Sequence, residues 1–117
     1  MVRHIDAPTR IPVPGGKLIE EFVGRVATES TSVSVARMTA PPGWDEPAQT
    51  PEFDEITLVL SGSVVVEHDD GRTEVGAGEA VVTPAGRRVR YLAGPQGAEY
   101  VAVCMPAFGP DLVHREE

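Results

Sequence analysis

The sequence is short of several residue types, and each shortage excludes something. Its 117 residues hold a single cysteine, Cys104, so no intramolecular disulfide can staple the chain, and a reducing compartment suits it. It has no long hydrophobic run. Met1 leads into Val2, Arg3, His4, Ile5 and Asp6 with nothing apolar behind them, which is neither a secretory leader nor a membrane span. A cytoplasmic location with no membrane partner is the expectation. Positive charge is scarce: 10 basic residues against 18 acidic ones give −8. A chain this acidic repels phosphate backbones, so no nucleic-acid partner is expected. The one basic cluster, Arg87, Arg88 and Arg90, reads as a solvated turn and strand face. Lysine is reduced to Lys17 beside nine arginines, and at this level it carries no functional weight.

Long helical periodicity is missing too. What the chain has instead is turn residues. Twelve glycines and 11 prolines fall in short clusters, and between them lie runs rich in Val, Ile, Thr and Tyr. Strands are predicted at Lys17–Val23, Ser32–Thr39, Ile56–Leu60, Val64–His68, Arg72–Val75, Glu79–Thr83, Val89–Leu92 and Tyr100–Met105. Asp69-Asp70-Gly71 marks a hairpin turn, and Ser61-Gly62-Ser63 reads as another turn. Ile56–Leu60 is apolar nearly throughout, as in a strand buried on both sides. Asp111–Glu117 reads as a short helix or a tail. Antiparallel strands at this spacing indicate an all-β sandwich or barrel in one domain. Its parts are an N-terminal arm and first strand over 1–31, a barrel over 32–106 and a C-terminal tail over 107–117.

One stretch narrows this further. Gly43 is followed by five residues, Gln49, one residue, Pro51, three residues, Glu55, six residues and Gly62. A second run reads Gly78, five residues, Pro84, one residue, Gly86, two residues and Val89. This framework resembles the two motifs of the cupins, and the resemblance covers roughly Ser32 to Pro106. Gly43-Trp44, Pro51 to Glu55 and the tail from Pro106 to Arg115 are similar to small cupins named for ethanolamine utilisation. The resemblance implies a cupin jelly-roll β-barrel, commonly a homodimer, around a small-molecule ligand. It also implies histidines where this chain has Gln49, Pro51 and Val89, and asparagine where it has Ala93.

Those substitutions set the chemistry. Imidazole suits first-row metals, whereas proline and valine carry no ligand atom. Only Gln49 and Glu55 keep donor oxygens, so no metal and no cofactor are expected. Alternation along the strand points Glu55, Thr57 and Val59 inward, with Ile56, Leu58 and Leu60 facing the other sheet or a partner chain. On the facing strand Val89, Tyr91 and Ala93 share the inner face, and Arg88 and Arg90 the outer one. A carboxylate among apolar neighbours without a cation is desolvated, and its pKa rises toward the range useful for proton transfer.

The leading expectation is therefore an isomerase, dehydratase or cyclase of small molecules. Glu55 acts as acid or base, Gln49 orients the substrate and Tyr91 assists, while Trp44, Thr57, Val89 and Tyr100 contact the ligand. Two alternatives stay open: a metal-dependent cupin in which His114 or water joins Gln49 and Glu55, and a non-catalytic ligand binder.

Overall fold

The computed structural model describes residues 2–116; Met1 and Glu117, the outermost residues of the expected arm and tail, lie outside the described residues. Seven strands form: β1 (Thr9–Ile11), β2 (Leu18–Val23), β3 (Ser34–Ala40), β4 (Asp54–His68), β5 (Gly71–Gly76), β6 (Ala80–Thr83) and β7 (Arg90–Met105). A single short helix, α1 (Pro110–Val113), follows. The strands are ordered β1-β2-β3-β7-β4-β5, with β6 on the free side of β4, and all pairings are antiparallel.

Two long strands make the barrel. β4 has 15 residues and β7 has 16, and they pair from Asp54↔Met105 to Glu67↔Arg90. The expected break at Ser61-Gly62-Ser63 is therefore not a turn: register shifts at Val59/Ser61 and Gly62/Val64 bend a continuous strand. The same holds for Val89–Leu92 and Tyr100–Met105, which are two halves of β7. The bend needs glycine, because a Cβ on Gly62 would lie 2.0 Å from the Gly97 carbonyl oxygen. The Asp69-Asp70 hairpin forms as expected, with His68 opposite Gly71.

The lateral register sorts residues into rows across the sheet. Ser34, Cys104, Glu55 and Thr83 form one inward row. Glu21, Ala36, Ala102 and Thr57 form the next, and Ile19, Met38, Tyr100 and Val59 a third. Val59, Val64, Val66, Val75, Val89, Tyr91 and Ala93 fill the interior on the far side. Each such valine contributes about 1.5–3 kcal/mol by leaving water. The reading of Ile56–Leu60 as buried on both faces fails for its outer parity, since Leu58 and Leu60 are 41% and 46% exposed. Antiparallel sheets tolerate one wet face. β2 pairs with β1 on one side and β3 on the other.

Both termini cover the open end. Ile11–Gly15 lies along the cavity mouth. α1 sets Val113 against Phe53 and Cys104, after which Gln49 bridges to Arg115 on one side and Val89 on the other. No helix among the described residues is long and apolar enough to cross a membrane.

Candidate functional site

The barrel holds a cavity of about 440 Å³ whose lining includes Trp44, Gln49, Glu55, Tyr91 and Tyr100. Five of the seven residues singled out from the sequence thus meet on one surface. Thr57 and Val89 are buried but do not line the cavity: Thr57 sits in the wall behind it, and Val89 exchanges backbone hydrogen bonds of 2.8 Å with Gln49.

Glu55 stands in the inward row of the sheet between Cys104 and Thr83. Its side chain is wholly enclosed, and its pKa is pushed up to about 7 chiefly by burial, with Lys17 opposing the rise and Glu46 adding to it. The same desolvation, reinforced by the neighbouring Glu55 charge, raises the Tyr91 phenol and the Cys104 thiol. Tyr91 and Thr83 share a hydroxyl–hydroxyl hydrogen bond of 2.7 Å, which fixes the ring against the wall. Cys104 is a buried thiol, held beside the Glu55 carboxyl and Ser34, with its pKa raised chiefly by burial. The Thr57 hydroxyl is fully buried and finds no hydrogen-bond partner among the described residues.

Three charged residues escaped the sequence reading. Lys17, just before β2, extends into the cavity with its ammonium 4.3 Å from the centre of the Trp44 ring and 5.4 Å from that of Tyr100. Glu46 also lines the cavity, and the Arg115 Nη2 donates to its Oε2 over 3.3 Å. Burial raises the Glu46 pKa, and Lys17 and Arg115 pull it back. Burial lowers that of Lys17, while Glu46 and Glu55 oppose the fall. The balance is intelligible in magnitude. Cation–π contacts contribute about 0.5–2 kcal/mol, whereas taking an ammonium out of water costs several. A lysine at a strand entrance and a glutamate in a Pro-flanked loop give no signal in a linear pattern. Only the folded register brings them to Glu55.

The donor set does not fit a first-row metal. Gln49 and Glu55 are the only residues with ligand atoms at the family's ligand positions, and the Lys17 side chain occupies the same space. His114 bonds to Glu52 on the exterior, and His68 bonds to Thr73 on the hairpin. Among the described residues no three His, Cys, Asp or Glu side chains converge.

Comparison with known proteins places this geometry. Oxalate decarboxylase of Bacillus subtilis superposes with a TM-score of 0.80 at 19% identity, over 95% of this chain and 30% of that one. Streptomyces PAC13, solved in a substituted form with uridine, gives 0.77 at 18% identity over 97% of this chain and 88% of its own. A putative ethanolamine utilisation protein Q of Salmonella typhimurium gives 0.67 at 22% over 79% and 71%. At these identities the likeness is one of fold. A curated protein of Myxococcus xanthus, named endoribonuclease YbeY, is 52% identical over 107 residues; the chain spans only 36% of its length. That relative overturns the exclusion of nucleic acid drawn from the −8 charge. Net charge describes one chain, and it does not rule out RNA as the business of a longer protein in which a similar stretch is embedded. The cupin domain profile matches residues 36–104, more than half of the sequence, and the chain belongs to the cupin family.

Proposed function

We propose that this cupin converts a small molecule in its barrel cavity, in the cytoplasm and without a metal, by proton transfer through Glu55. The observation that carries the reading is the enclosed Glu55 carboxyl on the cavity surface with a pKa pushed up to about 7. A group poised there accepts a proton in one step and returns it in the next, as isomerisation, dehydration and cyclisation require. Gln49 presents an amide that fixes a polar group of the substrate, and Tyr91 holds an adjacent oxygen. Trp44 and Tyr100 supply flat apolar faces, while Thr57 and Val89 shape the wall from behind.

The direct test is a carbon-detected NMR titration of the Glu55 carboxyl. A midpoint near 7 is expected; a midpoint near the ordinary 4.5 overturns the reading. A second reading follows from the Myxococcus relative: the chain contacts RNA as part of an RNA-cleaving protein. Fluorescence polarisation with a labelled single-stranded RNA distinguishes the two, since the cavity reading expects no change in polarisation that Glu55→Gln alters.

A further inference from the structure

Lys17 is the one lysine of the sequence, and its side chain ends inside the cavity. Among the described residues it makes no hydrogen bond and no ion pair within 4.0 Å; its amine lies over the rings of Trp44 and Tyr100, with the Glu46 and Glu55 carboxyls acting on it from further off. Buried cations are ordinarily paired, so an enclosed amine left open toward a ligand-sized space calls for another explanation. We infer that Lys17 is a nucleophile, and that the cavity takes an aldehyde or ketone which condenses with its amine.

The surroundings supply what that condensation needs. An attacking amine must be uncharged, and burial favours the uncharged form here. The nitrogen lone pair adds to the carbonyl carbon, and one proton passes from that nitrogen to the carbonyl oxygen to give a carbinolamine. That hydroxyl then leaves as water, with a proton supplied by an acid, while the nitrogen loses its remaining proton to leave a neutral imine. Glu55 is the acid in reach of the same space: it is felt by the Lys17 charge and titrates near neutrality. The rings of Trp44 and Tyr100 keep the amine from folding back to solvent. This inference shares the Glu55 acid with the proposed function, but the amine chemistry stands or falls separately.

The test uses the full chain, propanal and sodium cyanoborohydride at pH 7, followed by peptide mapping. One lysine makes the outcome unambiguous, because the N-terminal amine falls on a different peptide. Reductive alkylation at Lys17 is expected at least about tenfold faster than that of Nα-acetyl-lysine under the same conditions. Labelling confined to the N-terminal amine, or Lys17 labelling no faster than the free amino acid, overturns the inference. In Glu55→Gln, slower Lys17 labelling supports both proposals. Undiminished labelling upholds the amine and removes Glu55 from its dehydration step.

Discussion

Two buried glutamates, 34 positions apart in the sequence, show how one side chain serves two ends. Glu21 in β2 is 2% exposed, and its Oε2 accepts hydrogen bonds from the backbone N–H groups of Ala27 at 2.8 Å and Val26 at 3.0 Å. The turn after β2 wraps around this carboxylate so closely that a Cβ on Gly24 would lie 2.5 Å from it. Glu55, enclosed to a similar degree, has no backbone donor. Beside it are the Thr57 hydroxyl and the Cys104 thiol, with Lys17 and Glu46 acting from further off. The first carboxylate is satisfied and locks a loop. The second has only a hydroxyl and a thiol beside it, and burial outweighs them, so its pKa is pushed up to about 7. Burial alone does not shift a carboxyl; burial without backbone donors does.

The comparison is sharpest in turnover. Glu55→Gln should keep the fold and ligand binding while lowering kcat by about two to four orders of magnitude, and Glu21→Ala should leave the activity per folded molecule unchanged. Equal loss in both variants would erase the distinction. The second measurement is stability against pH. The folded-state pKa of Glu55 lies above its unfolded value of 4.5, at about 7, so the folded state holds the proton more tightly. Stability from this group is therefore full below about pH 4.5 and lost as pH rises through about 7. The loss is about 3 kcal/mol across that window. Urea denaturation of Glu55→Gln should show this part of the slope removed, with the variant more stable than the wild type at pH 8.

Glu21→Ala comes next, at about 2 kcal/mol of destabilisation, since two N–H groups lose a charged acceptor. Gly24→Ala should act in the same direction by forcing that carboxylate aside, and both should lower the denaturation midpoint. The smallest effect belongs to an exposed carboxylate. Arg88 donates to Glu116 on the surface, and Arg88→Ala should leave the melting temperature unchanged, as expected of a solvated pair.

Much of the Glu55 half of this comparison was legible in the sequence. Motif spacing and strand alternation place Glu55, Gln49 and Tyr91 on one surface, because strand period and glycine positions are local properties. The Glu21 half was not. Nothing in Glu20-Glu21-Phe22 tells which glutamate points inward, and the residues that bond it belong to a turn five and six positions on. Lys17, Glu46 and Arg115 were invisible for a related reason. Each is a charged residue at the margin of an element, where a linear pattern reads solvent, and only the closing of both termini over the mouth turns them inward. The Ser61–Ser63 turn failed because a bulge and a turn use the same small residues.

The strand order has a consequence in time. β7 lies between β3 and β4, so Ser34 meets Cys104 across 70 positions of chain, and Glu55 meets Cys104 across 49. Such non-local closure sets folding in the millisecond-to-second range typical of β-sandwiches and barrels. Until β7 docks, Glu55 remains in water and titrates as any glutamate does. The enclosure of Glu55 thus depends on long-range pairing, and a species in which β7 has not docked has the sequence of the cavity without its walls.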